Sequence, residues 1–169
     1  MSALEAYTVR EVVPDDWERV MAVMVEWWGG RDLRPMLPKI FFEHFRSTSL
    51  VAEQDSELVG FLVGFLCPDH AGEAYVHFAG VHPAWRRAGL GADLYGRFFN
   101  LAKAEGRTVV RAVTAPVNKG SVAFHTDLGF SLLPGDDEVD GMPVPVDRGP
   151  QGDHVVRFEL RLGEHGGEA

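Results

Sequence analysis

The chain has 169 residues, 46% of them apolar, and a formal net charge of −9. Such a length suggests one domain, able to bury roughly two-thirds of its unfolded surface without metal or disulfide staples. The acidity excludes nonspecific nucleic-acid binding, which needs a basic surface; it either favours a cationic substrate or only aids solubility.

Tyr7–Val12 alternates and reads as an opening strand. Asp15 stands three residues before Glu18, a capping-box spacing, and Trp17, Val20, Met21, Met24 and Trp28 then follow at helical intervals up to Gly29-Gly30. A second helix is expected from Pro35 or Pro38 to Phe45, with Phe41, Phe42 and Phe45 as its apolar content. Strands are expected at Ser49–Ala52, Leu58–Leu66 and Ala74–Val81, the first two joined by a short polar hairpin link. A helix follows over Leu90–Ala104, with Leu90, Leu94, Phe98 and Leu101 as its buried stripe. Thr108–Thr114 reads as a strand, Ser121–Leu128 as a short helix stopped by Gly129, and Phe130–Leu133 and His154–Leu162 as the last strands. Pro134–Asp153 is long for a loop and reads as functional or disordered. This is the order of a mixed α/β or α+β layer fold, with one domain over 1–162 and a frayed tail over 163–169.

The lone cysteine, Cys67, ends an apolar run and reads as a packing residue in a reducing compartment. The start of the chain lacks the pattern of a signal peptide, and the longest apolar run, Leu58–Cys67, is too short to cross a bilayer. The expectation is a cytoplasmic protein. No His, Cys, Asp or Glu grouping has metal-ligand spacing, so no metal is expected.

The chemistry-bearing stretch is Val81 to Ala92: a strand end, a basic loop with glycines, and a helix start. Helix N-termini present unpaired N–H groups, glycine lets an anion approach the backbone, and Arg86 and Arg87 add charge, so the inference is a phosphate or pyrophosphate site. A dinucleotide fingerprint would need a third glycine where Leu94 stands and an acid within Arg111–Lys119, which has none. A nucleoside-triphosphate loop would need Gly-Lys-Ser/Thr, also absent.

Arg86-x-x-Gly89-x-Gly91 after an apolar strand, with Asn118-x-x-Ser121-x-x-Phe124-His125-x-x-x-Gly129-Phe130 downstream, resembles the GNAT superfamily of acetyl-CoA-dependent N-acetyltransferases over about Tyr7 to Leu162. The resemblance implies a central, mixed, mostly antiparallel sheet of about seven strands with about four helices, splayed at the cofactor site. It implies acetyl-CoA as co-substrate. Backbone groups of Ala79, Gly80 and Val81 would pair with the pantetheine arm. Arg86, Arg87, Ala88, Gly89, Leu90, Gly91 and Ala92 would hold the pyrophosphate. Asn118 would bond the pantetheine or merely cap its helix, and Phe124 would pack near the thioester or in the core. An amine of a small molecule or peptide would attack the thioester directly. The alternative is a non-catalytic acyl-CoA-binding protein of the same fold, and a homodimer is kept among the expectations.

His125 stands where many members carry a tyrosine acid, so it either supplies an imidazolium or has no role. Strand alternation puts Glu73, Tyr75 and His77 on one face as candidate base and substrate wall, with Ala74, Val76 and Phe78 on the core side. His77 lies closest to the loop. The family's acceptor site would involve Trp27, Trp28 and Arg31, as an aromatic wall for a cation or as packing. The acids of Asp136–Asp140 would attract an amine or only keep their loop wet.

Overall fold

The computed structural model describes residues 7–145 and 154–163, so residues 146–153 of the long loop and 164–169 of the tail lie outside the described residues. Among the described residues nine strands form: β1 (Thr8–Glu11), β2 (Leu50–Gln54), β3 (Glu57–Leu66), β4 (Glu73–Val81), β5 (Val109–Thr114), β6 (Ser131–Leu132), β7 (Asp137–Val139), β8 (Met142–Val144) and β9 (Val156–Arg161). Four α-helices join them among the same residues: α1 (Asp16–Trp27), α2 (Ile40–His44), α3 (Leu90–Ala104) and α4 (Lys119–Asp127). The hydrogen-bonded order of the main sheet is β1-β2-β3-β4-β5-β9-β6, and β7 and β8 form a separate hairpin. Pairs β1/β2, β2/β3, β5/β9 and β6/β9 are antiparallel. The expected mixed, mostly antiparallel sheet of about seven strands with four helices is what forms.

The chain clusters into two compact units, one made of residues up to Leu66 plus Val76–Leu101, the other of Cys67–Tyr75 plus residues from Ala102 on. In the first, Val20, Met24 and Trp27 lie at i, i+4 and i+7 of α1 and are buried with Val12, Leu37, Phe42, Val51, Phe61 and Val63. The expected core tryptophan was Trp28; the buried one is Trp27, because Trp28 is the C-cap, with φ −101° and ψ 23°, and has left the helical phase. Asp15 caps nothing with its side chain. Asp16 takes over: buried, it accepts the Val13 N–H at 2.7 Å and bonds Arg10 and Arg19, which both also reach Glu53. Burial opposes its charge, yet these donors hold its pKa below the usual carboxylate range. With Arg10 and Arg19 bridging to Glu53, this cluster pins β1, α1 and β2 together.

The expected second helix is broken into a 3-10 turn at Arg34–Met36 and the five-residue α2. Leu37 and Pro38 separate them, since the residue before a proline is biased away from helical angles. The β2–β3 hairpin turns on Asp55 and Ser56, both with positive φ, as a two-residue turn matched to strand twist requires. In the second unit, Phe158, Val110, Phe130 and Val156 are buried, and the Arg107 guanidinium closes the β3–β4 link by bonding the carbonyls of Cys67, His70 and Ala71. Cys67 is buried, which pushes its thiol pKa up and keeps it protonated.

Candidate active site

The stretch after β4 is built from local bonds. His82 Nδ1 accepts the Ala84 N–H at 3.0 Å and starts a 3-10 turn over Pro83–Trp85. Arg87 and Gly89 then take left-handed φ of 62° and 85°. The first α-type bond runs from Asp93 N to the Gly89 carbonyl at 3.0 Å. The N–H groups of Leu90, Gly91 and Ala92 therefore lead the helix with no intrahelical acceptor. Leu90 is fully buried and roots the loop, while Arg87 and Gly89 are exposed. Tyr7 ties down both flanks: its hydroxyl donates to Asp93 at 2.7 Å and its ring meets Trp85 edge-on at 5.8 Å. Burial and Asp93 push its pKa up to about 12. An exposed glycine with left-handed backbone, three leading N–H groups and a free-standing arginine fit a diphosphate.

Arg86 departs from the expected phosphate role. Its Nη2 donates to the Trp27 carbonyl at the end of α1, and its Nε donates to the Val81 carbonyl at 3.3 Å. Of the two arginines, only Arg87 presents its guanidinium without such a tie among the bonds described.

Along β4 the expected alternation fails at one point. Ala74 and Val76 are buried as expected. The His77 ring, however, stacks on Phe41 at 4.3 Å, while its neighbour Phe78 packs on Trp28 at 5.0 Å and on Phe61 at 6.3 Å. Two consecutive side chains meet one aromatic cluster, which corrects the placement of Phe78 with Ala74 and Val76. A local break in the pleat, as at a bulge, has this effect. Trp28 also lies against Gly80: a Cβ there would overlap its indole and come within 2.8 Å of Phe61. Arg31 is exposed, its N–H bonding the Trp28 carbonyl.

His77 Nε2 lies 2.7 Å from the Met36 carbonyl. A carbonyl can only accept, so Nε2 carries the proton and Nδ1 keeps the lone pair. Burial lowers the pKa, against the smaller opposite effect of that hydrogen bond. The ring is neutral at pH 7.

In the second unit, Glu73 is ion-paired to Arg111 at 3.0 Å, and Arg111 also holds Glu159. Glu73 is thus spoken for and does not stand as an open acid. Tyr75 is half-buried, and burial raises its pKa, so its phenol stays protonated. Asn118 Oδ1 accepts the Ser121 N–H at 3.1 Å and caps α4. Phe124 is half-buried and meets His125 edge-on at 5.5 Å. His125 is buried, stacked on Phe158 at 4.7 Å, with Nδ1 2.7 Å from the Ser121 carbonyl. Burial lowers its pKa, only partly offset by that bond, so it holds no imidazolium at neutral pH.

Sequence reasoning missed Phe41, Phe61, Phe78 and Met36 as the surroundings of His77 and Trp28. The aromatic residues were visible as aromatic; their convergence depends on pairing between distant segments. Among the described residues no group of three or more His, Cys, Asp or Glu could hold a metal, and no helix is long and apolar enough to cross a membrane.

Residues 15–130 match the model of the Acetyltransferase (GNAT) family. L-2,4-diaminobutyric acid acetyltransferase of Shouchella clausii is 32% identical over 89 residues, 53% of this chain and 50% of that protein; the chain matches about half the length of such curated relatives. Diaminobutyrate acetyltransferase EctA from Paenibacillus lautus, solved with L-2,4-diaminobutyric acid and coenzyme A, superposes with a TM-score of 0.71 at 18% identity, covering 94% of this chain and 96% of that one. Ard1 from Thermoplasma volcanium gives a TM-score of 0.70 at 21% identity, over 94% and 99%. These two structures share the fold. With the family match spanning well over half its length, the chain belongs to the GNAT acetyltransferase family.

Proposed function

We propose that the protein is an N-acetyltransferase that moves an acetyl group from acetyl-CoA to the primary amine of a small molecule or peptide. The observation that carries this reading is the loop at the start of α3, where Arg87, Gly89 and the leading N–H groups of Leu90, Gly91 and Ala92 suit a pyrophosphate. Acetyl-CoA supplies the activated acyl group as a thioester. Backbone groups of Ala79, Gly80 and Val81 hold its pantetheine arm, with Asn118 and Phe124 as further contacts.

The acceptor reaches the reaction as an ammonium and must shed a proton before it attacks. His77 is suited to take it, directly or through water. Its Nε2–H is anchored on Met36, its Nδ1 lone pair is open by tautomer, and burial keeps the ring neutral. The half-buried faces of Trp28 and Phe78, backed by the buried Trp27, offer a wall for a cation, with Arg31 at its edge for an acceptor carboxylate. Tyr75, kept protonated, is the proposed donor to the leaving sulfur. His125, neutral and stacked on Phe158, positions α4 in this reading, and Glu73, paired with Arg111, takes no part in the chemistry.

The relatives named for L-2,4-diaminobutyric acid make that diamine the first acceptor to try. The net charge of −9 supports a cationic acceptor over nucleic acid, and a cytoplasmic location is part of the same reading. A homodimer completes the reading and is checked by sedimentation. Coenzyme A release is measured with acetyl-CoA and a panel of amines led by that diamine. Release with one or more supports the assignment. Tight acetyl-CoA binding with no release across the panel overturns it in favour of a non-catalytic acyl-CoA-binding protein.

A further inference from the structure

We infer that Arg86 is a positioning residue that couples the phosphate loop to Trp28, so that coenzyme A in the loop sets how the indole lies on β4. The inference rests on the acetyl-CoA reading above and adds to it a link between cofactor and acceptor wall.

The last turn of a helix leaves carbonyls without intrahelical donors. At the end of α1 the following turn closes most of them: Trp28 N–H bonds Met24, Gly29 bonds Glu26, Gly30 bonds Val25, and Arg31 bonds Trp28. The Trp27 carbonyl is outside that set, and the Arg86 guanidinium takes it. Nor does α1 carry a basic residue in its own last turn, where a cation is favoured by the helix dipole. Arg86 brings one from 59 positions away.

The same guanidinium holds the Val81 carbonyl. Its two acceptors therefore flank one contact. Trp27 precedes Trp28, Val81 follows Gly80, and Trp28 lies against Gly80. Arg86 fastens the two backbones on either side of that packing. Arg87, the next residue in the chain, begins the left-handed stretch that leads to the anion-binding N–H groups. An anion that orders the loop thereby orders the arginine clasp, and linkage makes the effect reciprocal.

The test uses the whole chain labelled with 5-fluorotryptophan. The Trp28 resonance is assigned by Trp28→Phe, and coenzyme A is titrated by fluorine NMR and by calorimetry in parallel. In the wild type, coenzyme A binds and moves the Trp28 resonance. Arg86→Ala is expected to bind coenzyme A within about threefold of wild type while the Trp28 resonance no longer responds. Arg86→Gln retains a donor for the Trp27 carbonyl without the charge, and it is expected to restore the response. A Trp28 shift that survives in the alanine variant overturns the clasp. A loss of about tenfold or more in coenzyme A affinity in both variants also overturns it, making Arg86 a phosphate ligand. Absence of binding in the wild type overturns the cofactor reading and the coupling together. If the alanine variant fails to fold, the glutamine variant decides: normal binding with a normal Trp28 response supports the clasp, and weakened binding overturns it.

Discussion

The indole of Trp28 occupies the space that a side chain at Gly80 would need. A residue at the end of a helix and a bare position in a strand are thus sized for each other. Gly80→Ala is expected to push Trp28 off β4 and to destabilise the protein by about 1–3 kcal/mol, the usual cost of overpacking. The double variant Gly80→Ala, Trp28→Leu should recover part of that loss. Thermal unfolding of the three forms checks it; equal midpoints for wild type and the single variant would show that the contact does not constrain the site.

Gly89 has φ +85° and is exposed. Gly89→Glu puts a side chain and a negative charge where the diphosphate is proposed to sit. The backbone strain is about 1–2 kcal/mol, small enough to leave a folded protein. Calorimetry should detect no acetyl-CoA binding in this variant, while circular dichroism stays that of the wild type. Retained micromolar binding would remove the loop from the cofactor site.

His77→Gln keeps an N–H donor for the Met36 carbonyl but has no basic nitrogen. Turnover is expected to fall by about 10²-fold, the lower range for general base catalysis, with little change in acetyl-CoA binding. In the wild type kcat/KM should drop on the acid side below pH 6.5, because the pKa is lowered from that value. An unchanged acid limb in the glutamine variant would assign the proton to another group.

His125→Ala separates packing from chemistry. Burial keeps this ring neutral and Phe158 covers it, so turnover should fall less than about tenfold, with a pH profile parallel to that of the wild type. The cavity left beside Phe158 and Phe130 should cost about 2–4 kcal/mol, read by urea unfolding. A large loss in turnover at unchanged stability would return His125 to the mechanism.

His77 and His125 also set a stability window. Each has a folded pKa below its unfolded value of 6.5. The unfolded chain therefore binds more protons as pH falls past 6.5, and stability drops until the lower folded pKa values are reached. Above 6.5 the contribution is fully present. Urea midpoints at pH 7.5, 6.5 and 5.5 should decline on the acid side, and the double variant His77→Gln, His125→Gln should flatten that slope.

Much of the fold was legible. Leu90–Ala104 has the expected bounds because its buried residues fall at helical intervals and glycine precedes it. The β7–β8 hairpin, inside the stretch whose length reads as a functional or disordered loop, was legible too, since Asp140-Gly141 is a strong two-residue turn signal and takes positive φ at both positions. Asp15 and Asp16 could not be told apart as caps from spacing, since Arg10, Arg19 and Glu53 decide which carboxylate is drawn in. The loop proposed to hold the pyrophosphate stands out in the sequence because glycine and arginine cluster within a few residues. Arg86 as a helix cap could not, because its acceptor is 59 positions away and is a backbone carbonyl, which carries no residue-type signal.

The segment from Gly29 to Thr48 has no ladder of its own: two left-handed glycines, two 3-10 turns and a five-residue helix. Side-chain bonds to distant parts of the chain hold it: Trp17 donates to the Leu37 carbonyl, His77 to the Met36 carbonyl, and the segment's own Arg46 to the Val12 carbonyl. A stretch fastened in this way can be reshaped one residue at a time without breaking a sheet pairing. On the proposed reading, the wall beside His77 is where acceptor preference can drift over generations, while the loop ahead of α3 answers to a single unchanging ligand.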